Sequence, residues 1–150
     1  MIIWIDADAC PKIVKEVIYK ASSRLSLKVC LVANSYQAIP LSPLISFIKV
    51  DQGADVADQY IVKNVKPNDL VITADIPLAK FVVDQLATAM NPRGEHYTEE
   101  NISERLSARD FMQELRTSSG LNIGGPAPFG PKDKQNFTNA LDRFLVKVKL

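Results

Sequence analysis

The sequence has little of what small zinc-binding or secreted proteins rely on. It holds one histidine and two cysteines in 150 residues. His96 stands alone, and Cys10 and Cys30 form neither a Cys-x-x-Cys pair nor a Cys/His spacing of zinc type, which argues against a structural zinc site. Two cysteines are too few for a disulfide framework, so reduced thiols and a cytoplasmic location are expected. No apolar run approaches the roughly 20 residues that span a bilayer. The N-terminus MIIWIDADAC lacks the basic stretch and long apolar core of a signal peptide, and no membrane partner is expected. An excess of either charge is missing too. With 18 Lys and Arg against 17 Asp and Glu, the net charge is +1. That balance argues against a basic surface coating a polyanion and leaves room for a local patch.

What is present is the composition of a folded chain, 47% apolar and 23% charged, of a length suited to one domain over 1–150. Ile2 to Ile5 form a short apolar run ending in Asp6-Ala7-Asp8. Pro11 then opens a segment with Ile13, Val14, Val17, Ile18 and Ala21 at helical spacing. Leu27 to Ala33 reads as a second buried strand, and Phe47 to Val50 as a weaker third. A helix is expected from about Asp55 to Val65. Leu70 to Thr73 repeats the opening plan, a strand ending at Asp75 before Pro77 and another helix. Thr88 to Asn91 is a fifth short strand, and Asn91-Pro92-Arg93-Gly94 a turn. Thr98 caps a helix that carries Ile102, Leu106, Phe111 and Leu115 and stops at Gly120. Residues 122–131 are too rich in Gly and Pro for regular structure. A last amphipathic helix runs over about 132–147.

Strands this continuously apolar have no wet face, and their alternation with helices predicts a three-layer α/β sandwich with a mainly parallel sheet. Right-handed crossovers then gather the strand C-termini on one edge, where such sheets bind ligands. On that edge Asp6, Asp8 and Asp75 are expected to converge. Asp55 and Asp58, three apart and on one helical face, approach it from the second helix. Carboxylates so crowded repel one another unless a cation neutralises them. Hard oxygen donors without His or Cys select Mg²⁺ or Mn²⁺, which can activate water for phosphodiester hydrolysis. Helix capping is the competing account of Asp75 and of Asp55.

Other residues carry weaker signals. Asn34, at the end of the second strand, either orients a metal-bound water or closes a turn. Arg93 is placed to bind a substrate phosphate, or is a solvated turn residue. Cys10 reads as a small packed thiol and His96 as a surface residue. Lys132, Lys134, Arg143, Lys147 and Lys149 form the wet face of the last helix, with phosphate contact as the alternative.

The segments IWIDADACPKIVKEVIYKAS, LVANS, GADVADQYIV, DLVITADIPLA, NPRGEHYTEENI and GGPAPFGPKDKQNFTNALDRFL, in this order, resemble the YaiI/YqxD family of bacterial proteins. The resemblance implies a fold similar to PIN-like nuclease domains, with an acidic metal site at the strand ends formed by Asp6, Asp8, Asp58 and Asp75, and Asp55 as an extra ligand. The chain departs from the usual PIN pattern in the doubled Asp-x-Asp of its first strand, and Glu99, Glu104 and Asp110 match no PIN acid.

The leading expectation is a metal-dependent nuclease acting on RNA, with Asp6, Asp8 and Asp75 as catalytic residues and with Asp6, Asp8, Asp55, Asp58 and Asp75 holding Mg²⁺ or Mn²⁺. Two alternatives stand beside it. One is a phosphatase of haloacid-dehalogenase type, with Asp6 as nucleophile and Asp8 as acid/base. The other is a non-catalytic nucleic-acid or protein-binding module using Arg93, Arg109 and the cationic last helix.

Overall fold

The computed structural model describes residues 1–53, 55–119 and 128–148. Five of its six strands are parallel. They are β1 (Ile2–Asp6), β2 (Lys28–Ala33), β3 (Ile45–Lys49), β4 (Leu70–Ile72) and β5 (Thr88–Met90), and β6 (His96–Tyr97) closes one side antiparallel to β5. The order across the sheet is β3-β2-β1-β4-β5-β6. The helices are α1 (Lys12–Leu25), α2 (Val56–Asn64), α3 (Ile76–Asp84), α4 (Glu99–Ser119) and α5 (Pro131–Lys147), with one 3-10 turn at Ala7–Ala9.

Alternation along each strand divides its side chains between two cores. Ile3, Ile5, Val29, Leu31, Leu70, Ile72 and Met90 pack with Val14 and Ile18 of α1 and with Phe137 and Leu141 of α5. Trp4, Val32, Val71 and Ala89 pack on the other face with Ile61 of α2, Leu78 and Val82 of α3 and Ile102 of α4. Both faces are therefore dry, which is why the strand sequences are apolar throughout rather than alternating. The three-layer α/β architecture follows. No helix among the described residues is long and apolar enough to cross a membrane.

The third strand starts two residues earlier than its sequence indicates, because Ile45 pairs with Val29 beneath the core. β6 has no periodicity to betray it. It is made by the turn before it, where Asn91 Oδ1 accepts from the backbone N–H groups of Arg93 and Glu95 and Asn91 N–H donates to Glu95 O. Thr98 caps α4 as expected, its hydroxyl accepting from Asn101 N–H at 3.1 Å. The expected helix stop at Gly120, residues 122–127 of the Gly/Pro segment and Lys149 lie outside the described residues.

Two positions tie the layers together. Asp69, at the start of β4 and only 4% exposed, accepts from Ile2 N–H at 2.9 Å, Trp4 Nε1 at 3.0 Å and Lys66 N–H at 3.0 Å. A buried carboxylate is tolerated when its lone pairs are met in this way. Gly94 sits at φ +89°, and a Cβ there would lie 2.6 Å from the backbone oxygen of Asn136 in α5.

Asp69→Ala leaves three donors without their acceptor, so we expect a loss of about 3 kcal/mol in stability, measured by urea unfolding followed through the single tryptophan. Gly94→Ala pushes α5 away from the β5–β6 turn and imposes an unfavourable φ, with an expected loss of about 2–3 kcal/mol in the same assay. A loss under about 0.5 kcal/mol in either variant contradicts the corresponding account.

Candidate metal centre

The register of the two central strands decides where the acids meet. Ile5 pairs with Ile72, so Asp6 ends β1 beside Thr73, the residue that follows β4. Thr73 is 1% exposed. Its hydroxyl donates to Asp6 Oδ2 at 3.0 Å and accepts from Asp75 N–H at 3.0 Å. One side chain thus fixes both strand ends.

Asp75 is the N-cap of α3, its Oδ1 accepting from Leu78 N–H at 2.9 Å, and Pro77 occupies the first turn, where no donor is needed. Capping uses one of its oxygens and leaves the other available. Asp58 lies in the first turn of α2, where the helix dipole favours an anion. Asp55 precedes that helix in the left-handed region at φ +67° and makes no side-chain cap bond, so capping does not account for it. One ligand oxygen from each of Asp55, Asp58 and Asp75 lies within 4.8 Å of the others. They line a cleft of about 340 Å³ whose walls include Pro77, Phe81 and Arg109.

The crowding shows in the protonation equilibria. Burial pushes the Asp58 carboxyl up to about 7, and the negative charges of Asp75, Asp6 and Asp55 together with a hydrogen bond to Asp75 add to the rise. Asp6 is raised chiefly by burial, against the Thr73 hydroxyl, with Asp75 and Asp8 adding repulsion. Asp6, Asp55, Asp58 and Asp75 therefore feel one another at this edge, and Asp8 acts on Asp6 as well. Three of them bring oxygens within 4.8 Å of one another, and Asp6 is not among those three.

A family model described as "Uncharacterized BCR, YaiI/YqxD family" matches residues 4–147. The chain belongs to the YaiI/YqxD family. It is 60% identical over 147 residues to a UPF0178 protein of Maridesulfovibrio salexigens, covering 98% of this chain and 97% of that one. It is 55% identical over 146 residues to one from Shewanella sp. (strain ANA-3), covering 97% of each. A Colwellia psychrerythraea UPF0178 protein is 52% identical over 149 residues, covering 99% of this chain and 98% of its own. No solved structure matches the chain.

In this YaiI/YqxD protein Asp8 goes elsewhere. The 3-10 turn at Ala7–Ala9 separates it from Asp6, and its carboxylate accepts from Asn34 N–H at 2.8 Å and from Ser35 Oγ at 3.4 Å. Asp8 thus ties the first strand end to the loop after β2, and Asn34 meets it through its backbone. Arg93 donates to Asp133 at 2.9 Å, its guanidinium 5.8 Å from the Phe129 ring centroid, and Asp133 also accepts from Gly130 N–H at the start of α5. Cys10 is buried, and burial pushes its thiol up to about 12, which suits a packed thiol and not a nucleophile. Two residues of the centre carried weak sequence signals. Thr73 is an ordinary strand residue until β1 is known to lie beside it, and Arg109 reaches the acidic cleft only because α4 packs on α3.

The folded protein holds a proton on Asp58 that the unfolded chain, titrating near 3.8, has released. The stability this contributes is fully present below about pH 4 and is lost as pH rises through about 7. In EDTA, Asp58→Asn is therefore expected to melt above the wild type at pH 8, with a gap that narrows by pH 5. Calorimetric scans across that range check it, and parallel melting curves of the two proteins contradict it.

Proposed function

We propose that this protein is a divalent-metal-dependent nuclease acting on RNA, with Mg²⁺ or Mn²⁺ held by Asp55, Asp58 and Asp75. The observation that carries this reading is the meeting of three carboxylate oxygens within 4.8 Å at the C-terminal edge of a parallel sheet. The donor set suits the ion. All three ligands are hard oxygens, and neither histidine nor cysteine joins them, which disfavours zinc and copper and favours Mg²⁺ or Mn²⁺. The raised Asp58 carboxyl, pushed up first by burial and then by its acidic neighbours, is consistent with this reading, since a cation would offset both costs of charging it.

A divalent ion at this place supplies Lewis acidity, lowering the pKa of a coordinated water and offsetting charge on the leaving oxygen. The chain's own groups do the rest. Asp6, fixed by Thr73, adds negative charge that Asp58 feels. Arg109, on the wall of the same cleft, presents a cation to a phosphate. RNA is proposed as the substrate because the sequence resemblance implies a PIN-like nuclease fold.

Mn²⁺ should bind the wild type with an affinity that falls at least about 10-fold in Asp75→Asn and in Asp58→Asn, as read by calorimetric titration. Cleavage of a labelled single-stranded RNA should stop in EDTA and fall about 100-fold in Asp75→Asn. Cleavage that persists in EDTA, or Mn²⁺ binding indifferent to both substitutions, overturns the proposal. Mn²⁺ binding with RNA bound and left intact favours the non-catalytic binding module instead.

A further inference from the structure

Arginines in this chain are generally paired with acids: Arg24 with Asp142, Arg93 with Asp133, Arg105 with Glu95 and Arg109 with Asp110. Arg143 and Lys147, near the end of α5, depart from that habit. Among the described residues neither forms an ion pair. They stand four apart on one helical face, where like charges disfavour each other. The C-terminal end of a helix dipole accounts for cations in this place. It does not account for what faces them.

His96, the only histidine, lies on β6 with its ring 6.3 Å from that of Phe144. Burial lowers its pKa, and the charges of Arg143 and Lys147 lower it further. These groups share a cleft of about 650 Å³ with Thr98, Val83 and Phe144, and among the described residues no carboxylate side chain lines it. That volume falls within the range of small-molecule sites. A bare inorganic anion would use the cationic rim and leave the apolar wall unfilled. A ligand complementary to both parts carries a phosphate and a flat, largely apolar body.

We propose that the cleft between β6 and the end of α5 binds a nucleoside monophosphate group, its phosphate on His96, Arg143 and Lys147 and its base against Val83 and Phe144. The group is either a free mononucleotide or the phosphorylated end of a strand. The site lies at the opposite sheet edge from the acidic cleft, with α3 running from Asp75 at one to Val83 at the other, roughly 12 Å along the helix. It stands independently of any metal chemistry.

The test uses the full chain in EDTA, so that the acidic cleft contributes no metal-mediated binding. Because there is a single histidine, its imidazole NMR signals report on this cleft alone. Titration with AMP should shift them saturably, with a Kd of about 0.1–1 mM. The double variant Arg143→Ala/Lys147→Ala, both positions exposed, should keep its melting temperature and bind AMP at least about 10-fold more weakly. Adenosine and inorganic phosphate should each bind at least about 10-fold more weakly than AMP. No His96 shift at about 10 mM AMP, or a Kd unchanged in the double variant, overturns the site. Inorganic phosphate binding as tightly as AMP overturns the nucleoside assignment. A 5′-phosphorylated trinucleotide binding as tightly as AMP supports the proposal with a strand end as ligand, and weaker binding supports it with the free nucleotide.

Discussion

The pairing of β1 with β4 at the centre of the sheet is the constraint on which the rest depends. Its register, Ile3 with Leu70 through Ile5 with Ile72, brings a buried acid to one end and a group of acids to the other. At the lower end Asp69 reaches the backbone of Ile2 and the indole of Trp4. At the upper end Thr73 reaches Asp6. Both contacts join β1 to β4 through side chains as well as through the ladder. A slip of one residue would break both and exchange the two hydrophobic faces.

The same pairing explains how much could be read from the sequence. The strands β1 to β5 are apolar because both faces are covered, so short apolar runs alternating with helical segments made them and the mainly parallel architecture legible. The gathering of acids at one edge followed from chain direction, without any knowledge of side-chain geometry. Which acids share a point did not follow. Asp6 and Asp8 are one residue apart, and their separation depends on a 3-10 turn and on Asn34, a residue brought near by the β1–β2 pairing. Asp69 was hidden for a similar reason. In the sequence it sits in the turn Lys66-Pro67-Asn68-Asp69, where an acid is unremarked, and two of its three donors come from Ile2 and Trp4, 67 and 65 positions away.

The two acid assemblies illustrate opposite solutions to the same problem. A carboxylate taken out of water needs either donors or a countercharge. Asp69 has three donors and serves the fold by joining β1 to the turn before β4. Asp55, Asp58 and Asp75 have few donors and mostly one another, and the cost appears as the raised carboxyl of Asp58. Capping of α3 by Asp75 belongs with this contrast rather than against it, since the cap fixes the position of the carboxylate while satisfying only one oxygen. A residue needed for the helix end is thereby held in place beside its like-charged neighbours.

Repulsion of this kind lowers stability and is not required by the fold. The core on the α2–α3 side is complete with Ile61, Leu78 and Val82, none of which depends on Asp55 or Asp58 for packing. The first turn of α2 could equally take a single acid for its dipole. Placing Asp55 before the helix in a left-handed conformation without a cap bond adds backbone strain for no structural return. On the proposed function a divalent cation would make the arrangement economical, because the charge that opposes folding would be the charge that holds the ion. Arg109 fits the same logic. Its ion pair with Asp110 is long, at 3.5 Å, and half-exposed, so little holds the guanidinium back from an anion arriving at the cleft. Asp6, Asp55, Asp58 and Asp75 are thus crowded at one strand end with the weakly held guanidinium of Arg109 at the rim of their cleft, the pattern of charge that the proposed metal and phosphate would neutralise.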